Sequence, residues 1–423
     1  MDAVDSELRP KLELADILRQ HAESYCLRHP VSPEQAQVLR HLRQCRTAVL
    51  GGHVDRCDSC GYVRIWYNSC RDRHCPKCQA IARAEWIEAR LERLLPVPYF
   101  HVVFTLPDEL NPVCLQNRRE LYGILFECAA ETLLQIAADP KHLGGQVGFT
   151  AILHTWGQNL PLHPHLHCVV TGGGLSQDGK RWVAARDDFL VSVKVLGRLF
   201  RGKFLARLQE FYQEGRLQLK GTAAPLSQAG GWRRWLAELY RQDWVVYAKP
   251  PFGGPEQVFG YLGRYSHRVA IANGRLIQMQ DGKVSFWYKD YADGSKSKVM
   301  TVEAEEFIRR FLLHVLPKGF TRIRHYGLAA GRNLNTKFVR CRELLGKTPS
   351  FRQTGPSQEP LPDEALPQRP KWADRVLEWT GNDPLCCPRC RGPLTRSELP
   401  ATLGHDLTRQ ARSHAARVGF DSS

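Results

Sequence analysis

The chain has 423 residues, 43% of them hydrophobic, and a formal net charge of +16. That length and apolar content exclude a disordered tail and are enough for two or three domains with real cores. The cationic excess points to a polyanionic partner, and nucleic acid is the usual one.

No apolar run in the sequence reads as long enough to cross a bilayer. The N-terminus, Met1 to Glu7, is polar and acidic and lacks the basic and apolar segments of a secretory signal. The expectation is a cytosolic protein with no membrane partner and reduced thiols. The 14 cysteines then read as metal ligands wherever they pair.

Residues 1–50 read as a helical arm. Leu8, Leu12, Leu14, Ile17 and Leu18 recur at helical spacing, and so do Val38, Leu39 and Leu42, with Pro30 and Pro33 between the two segments. Residues 51–95 read as a zinc-binding module. Cys57, Cys60, Cys75 and Cys78 form two Cys-x-x-Cys knuckles whose four thiolates can close one tetrahedral, structural zinc site. His53, Cys70 and His74 are spare ligands nearby. Arg71, Arg73 and Lys77 decorate the module and are its expected DNA contacts.

Residues 96–345 read as one α+β domain. A helix is expected from Gln79 to Leu94, a buried strand from Tyr99 to Leu106, and a covering helix over 117–138. Strands over 148–156 and 165–172, joined by the short Asn159–Leu162 connection, should form an antiparallel hairpin. In the second of these, His165 and His167 flank Leu166. Strand alternation turns both imidazoles to one face and Leu166 to the other, which suits a metal ion. A third ligand is expected from the neighbouring strand. Gln158 and His154 are the candidates, and Gln158 is preferred because it lies nearer the loop.

Further on, a helix is expected over 195–212. In Val258 to Arg268, Tyr261 and Tyr265 are four apart, and on a helix they would share one face, with Arg264 and Arg268 beside them as expected DNA contacts. Lys283–Tyr291 and Lys298–Val302 read as a hairpin turning at Asp293-Gly294, and Glu303–Val315 as a helix. Arg322 to Gly327 reads either as a phosphate-contacting stretch or as one more strand. Residues 346–372 are rich in Pro, Gln, Ser and Glu and read as a flexible linker. The tail, 373–423, holds one further knuckle, Cys387 to Cys390, with His405 and His414 as possible helpers and no later cysteine to complete it.

Taken jointly, these stretches resemble a known family. The zinc module around CDSC and CPKC, the strand YFHVVFTLPDEL, the segment HTWGQNLPLHPHLHCVVTGGG, YLGRYSHRVAI, FWYKDYADG and RIRHYGLAAGR are similar to the two-tyrosine HUH rolling-circle transposases of bacterial insertion sequence 91 and its relatives. The match spans about residues 50–345. The resemblance implies an antiparallel-sheet HUH endonuclease-like domain with covering helices, His165 and His167 as the HUH pair on Mg²⁺ or Mn²⁺, and Tyr261 and Tyr265 as nucleophiles. It further implies DNA transposition and recombination by nicking and rejoining single strands, with single-stranded and duplex DNA at transposon ends as partners and the zinc module binding DNA. Plasmid replication initiators and conjugative relaxases share this chemistry. A non-catalytic zinc DNA-binding protein, and a hydrolase in which water attacks, are the readings from other classes.

Overall fold

A computed structural model describes residues 12–79, 93–186, 192–252, 269–346, 373, 374, 377 and 381–401. By their internal contacts they fall into two compact units, one drawn from residues 1–38 and 73–349, the other from 39–72 and 350–423. The second unit therefore takes residues from both the expected zinc module and the expected tail.

The first unit is built on five strands: β1 (Tyr99–Thr105), β2 (Gly148–Trp156), β3 (Leu162–Thr171), β4 (Val246–Phe252) and β5 (Ile323–Gly327). Their order across the sheet is β5-β2-β3-β1-β4, and every neighbouring pair is antiparallel. The expected hairpin of β2 and β3 is present, with Phe149 opposite Val170 and His154 opposite His165. The Arg322–Gly327 stretch is a strand, β5. Its cations are used in packing: Arg324 lies 4.2 Å above the Phe126 ring, and Arg322 donates to Gln79 Oε1 at 2.9 Å.

Period-2 alternation divides the sheet cleanly. One face carries Phe100, Val102 and Phe104 of β1, Phe149, Ala151 and Leu153 of β2, and Leu166, Cys168 and Val170 of β3, all in the main core. Two helices supply the other half of that core: α1 (Arg118–Ala138), through Leu121, Leu125 and Leu133, and α2 (Val193–Gln213), through Phe200, Phe204 and Leu208. Each such fully buried side chain stabilises the fold by about 1.5–3 kcal/mol. The helix α1 is long and apolar enough to cross a membrane by length and composition, contrary to the reading of the sequence. Its most apolar window is 67% buried within the protein, as a core helix requires.

The opposite face is divided lengthwise. At one end Tyr99, Ile152 and Val169 pack beneath Leu328, Phe338 and Cys341 in a smaller apolar cluster. At the other end the same face carries His101, His154, His165 and His167. A second sheet in this unit, 276–280, 283–290 and 296–303, is an antiparallel meander. Its turn has Gly294 at φ 60°, and Asp290 Oδ1 accepts from the amides of Ala292 and Asp293.

In the second unit, strand 52–56 lies between strands 63–67 and 395–399 in an antiparallel sheet. Asp55 at its centre is 1% exposed and fully engaged. It accepts from Arg396 Nε at 2.7 Å, Trp66 Nε1 at 2.9 Å and Arg64 Nη2 at 3.1 Å. Burial opposes ionisation of this carboxyl, but the two guanidinium partners outweigh it and hold its pKa below the usual range. The sequence signs of this unit are local; the third strand comes from the far end of the chain.

Candidate metal centre

The ring nitrogens of His154, His165 and His167 lie within 4.8 Å of one another. His165 Nε2 and His167 Nε2 are 3.1 Å apart. The backbone explains the convergence. His165 and His167 are two residues apart on β3 and so share a face, and His154 lies directly opposite His165 on β2. His154 and His167 are buried, at 2% and 8% exposure, while His165 is half-buried and forms the open side. Trp156 stacks on the His154 ring with centroids 4.6 Å apart and backs it from behind.

His154 takes the place expected of Gln158. β2 ends at Trp156, and Gln158 sits in the turn beyond, where strand alternation no longer aims its side chain. Its Nε2 donates to Tyr291 Oη at 3.1 Å, and its carbonyl accepts from Arg275, so it ties the turn to the meander instead.

One contact fixes an imidazole tautomer, and a second positions another ring. His165 Nδ1 donates to the His163 carbonyl at 2.7 Å, which leaves Nε2 as a lone pair facing the cluster. His167 Nδ1 lies 2.8 Å from His101 Nε2. Burial pushes the His101 imidazole down to about 3, with Lys249 and His165 adding to the effect, so it is neutral at ordinary pH. A cation on His167 Nε2 would require the His167 proton on Nδ1, where His101 Nε2 accepts it. Nothing in the sequence sets His101 apart from its apolar neighbours; only its place across the β1–β3 pairing reveals it. His101→Ala is expected to weaken Mn²⁺ binding by about 10- to 100-fold in isothermal titration. His101→Gln, which keeps an acceptor, should recover part of the loss.

The histidine face continues onto β4. Lys249 lies opposite His101 and Tyr247 opposite Val103, itself the partner of His167. Both are exposed, Tyr247 at 49%, and Lys249 Nζ lies 5.9 Å from the Tyr247 ring centre. No local pattern in the sequence marks either residue.

Tyr261, Tyr265, Arg264 and Arg268 lie outside the described residues. So do the helix expected over 79–94, save for its ends, and most of the expected 346–372 linker. Arg71 is exposed. Arg73 donates to the Phe320 carbonyl at 2.6 Å, and Lys77 pairs with Glu13 at 2.5 Å. Cys57 and Cys60 do not join Cys75 and Cys78. They cluster with Cys387 and Cys390, all four sulfurs within 4.8 Å of one another. The reason is the strand after the first knuckle. Residues 63–67 run antiparallel to 52–56, from Val63 opposite Arg56 to Tyr67 opposite Gly52. They carry the chain roughly 17 Å away from Cys60 before Cys75 is reached. Cys75 and Cys78, in the first unit, are both buried; in the second unit Cys45 is buried and Cys70 half-buried.

Comparison with known proteins gives two family matches along the chain. Residues 17–106 match the family described as "Transposase zinc-binding domain", and residues 148–337 the family described as "Putative transposase". The chain is 52% identical over 390 residues to "Putative transposase y4qJ" of Sinorhizobium fredii (strain NBRC 101917 / NGR234), covering 92% of this chain and 95% of that one. The chain belongs to the insertion sequence 91 family of transposases. It is also 29% identical over 314 residues to the "Transposase for insertion sequence element IS801" of Pseudomonas savastanoi pv. phaseolicola, covering 70% of this chain and 71% of that one. No solved structure matches it. The family match at 148–337 takes in His154, His165 and His167 of this transposase, and the zinc-domain match takes in His101, Cys57 and Cys60. Cys387 and Cys390 fall outside both.

Proposed function

We propose that this transposase nicks and rejoins single-stranded DNA at the ends of its element through 5′-phosphotyrosine intermediates. The observation that carries the reading is the convergence of three imidazoles on the open face of the sheet. A divalent cation held by His154, His165 and His167 would polarise a phosphodiester oxygen and offset charge developing on the phosphate. The donor set suits the ion: three buried or half-buried nitrogens, that of His165 with its tautomer fixed by the His163 carbonyl, and a more open side at His165. Nitrogen donors favour Mn²⁺ over Mg²⁺, which prefers oxygen ligands and keeps its waters.

The nucleophile is assigned to Tyr261 and Tyr265. The phenol oxygen forms a bond to phosphorus, the bond from phosphorus to O3′ breaks, and the strand leaves with a 3′-hydroxyl. The phenol gives up its proton and O3′ takes one up, so no free water is consumed. The covalent link keeps the phosphodiester's bond energy, which lets a second 3′-hydroxyl reverse the step and join a new strand. The two tyrosines fall in the stretch of chain between β4 and Val269. Phe252, at the end of β4, pairs with Tyr99, and Val269 and Ala270 lie with Leu153, Thr155 and Trp156 around one small cavity.

DNA contact is supported by the charge and by the histidine face itself. Lys249 offers a cation to a phosphate, and the exposed Tyr247 ring a surface for a base to stack on. The experiment that tests the function uses purified protein, labelled single-stranded oligonucleotides from the element ends, and Mn²⁺. A protein–DNA adduct that survives denaturation, together with a free 3′-hydroxyl fragment, is the expected product. Cleaved DNA with no adduct at any time would mean that water attacks, and would replace this reading with a hydrolase.

A further inference from the structure

The geometry points to a structural zinc site made by Cys57, Cys60, Cys387 and Cys390, in which the last knuckle of the chain completes the module opened by the first. The two knuckles lie 333 residues apart, counted from Cys57 to Cys390, and the second falls outside both family matches. The inference does not depend on the tyrosine chemistry.

Three observations carry it. The first is distance. Cys57 Sγ and Cys390 Sγ are 3.4 Å apart, and Cys60 Sγ and Cys387 Sγ 3.5 Å. Disulfide sulfurs sit at about 2.05 Å. Sulfurs arranged tetrahedrally about zinc, at about 2.3 Å from it, are about 3.8 Å from each other, close to the spacing here.

The second is that the two knuckles repeat one backbone design. In the first, Gly61 N donates to the Cys57 carbonyl at 2.9 Å and Cys57 N to the Tyr62 carbonyl at 2.9 Å. In the second, Arg391 N donates to the Cys387 carbonyl at 2.9 Å and Cys387 N to the Gly392 carbonyl at 2.8 Å. The partners are four and five residues on in both. The residue after each second cysteine is left-handed, Gly61 at φ 68° and Arg391 at φ 62°. An arginine held in a conformation that favours glycine is a cost accepted by the local fold. In this knuckle the strain aims two sulfurs at the same point. Gly392 packs against them: a Cβ there would lie 3.4 Å from Cys390 Sγ and 3.7 Å from Cys57 Sγ.

The third is the strand that each knuckle leads into. The first runs into strand 63–67 and the second into strand 395–399, and the two flank strand 52–56. Asp55 ties the three strands together through Arg64, Trp66 and Arg396. Thr395 Oγ1 adds a bond to Asp58 Oδ2, within the first knuckle, at 3.0 Å. The C-terminal segment is therefore a strand of this module and supplies half its ligands. Four thiolates close the coordination sphere, so the ion is structural and binds no substrate. A chain that ends before Cys387 leaves the module with two ligands and an unpaired central strand edge.

The test begins with the wild-type full-length protein, which avoids any question of misfolding. Cys60 and Cys390 are exposed, so as free thiols they would react readily with a maleimide. Alkylation read out by peptide mass spectrometry is expected to spare both until a zinc chelator is added, and then to label both together. In parallel, metal analysis of Cys387→Ser/Cys390→Ser should show one zinc fewer per chain than wild type, while Cys26→Ser keeps the wild-type content. Prompt labelling of Cys60 and Cys390 without chelator, or unchanged zinc in the double variant, would overturn the site.

Discussion

Tyr261→Phe/Tyr265→Phe is expected to abolish the covalent protein–DNA adduct, with at least about a thousandfold loss of strand cleavage. The size reflects the role. Phenylalanine keeps the ring, its packing and its volume, and removes only the oxygen that would bond to phosphorus. Water in its place is neither tethered nor aligned, so the advantage of a positioned attacking group is lost. The single variants should separate the two residues. One tyrosine is enough to open a strand and hold its 5′ end, so one of the two single variants should still form adduct. Joining a second strand while the first end is held needs the other oxygen, so both single variants should fail at complete strand exchange. A gel assay with two differently labelled oligonucleotides reads cleavage and joining at once. Wild-type joining by a single variant would show that the second hydroxyl is not used.

The second large effect is expected at the metal centre, and it distinguishes two neighbouring residues. His154→Ala should lower adduct formation by about a hundredfold or more at limiting Mn²⁺, because it removes one of three ligands and with it charge stabilisation of that order. Raising Mn²⁺ should restore part of the activity, since His165 and His167 still hold two nitrogens at 3.1 Å. Changing both of those to alanine should leave nothing to rescue. Gln158→Ala should be near wild type in Mn²⁺ affinity, because its side chain contacts Tyr291 and not the cluster. If Gln158→Ala proves the more damaging of the two, the ion is held from the turn and not from the strand.

The contrast between Gln158 and His154 shows where sequence reasoning stops. The alternation of His165, Leu166 and His167 is a local property, and it correctly puts two imidazoles on one face and the leucine in the core. The cross-strand partner depends on where β2 ends and on how it registers with β3. The pairing is irregular between His154 and Trp156, so counting back from the loop misplaces the partner. The helices over 118–138 and 193–213, the hairpin turning at Gly294 and the strand from Tyr99 are legible because their signals are periodic or confined to a turn.

The cysteines mislead for a different reason. A spacing such as Cys57–Cys60 then Cys75–Cys78 gives a strong expectation only if the chain between doubles back. Here it forms strand 63–67 and runs away. The true partner is 327 residues beyond Cys60, and no local pattern announces it. His101 is hidden similarly: a single histidine in an apolar strand is indistinguishable from a packed core residue until its contact with His167 Nδ1 is known. The tail, whose knuckle has no later cysteine to complete it, provides strand 395–399 to the second unit's sheet and two sulfurs beside Cys57 and Cys60.

The chemistry at issue is the bond between one phenol oxygen and a DNA phosphate. Wild-type protein should be incubated with Mn²⁺ and an element-end oligonucleotide, digested, and the DNA-linked peptide sequenced by tandem mass spectrometry. The account predicts a nucleotide carried on Tyr261 or Tyr265, with the phosphate at its 5′ side. A nucleotide found instead on Tyr247, the exposed tyrosine on the histidine face, or a 5′-phosphate free in solution bearing oxygen from labelled water, would contradict it.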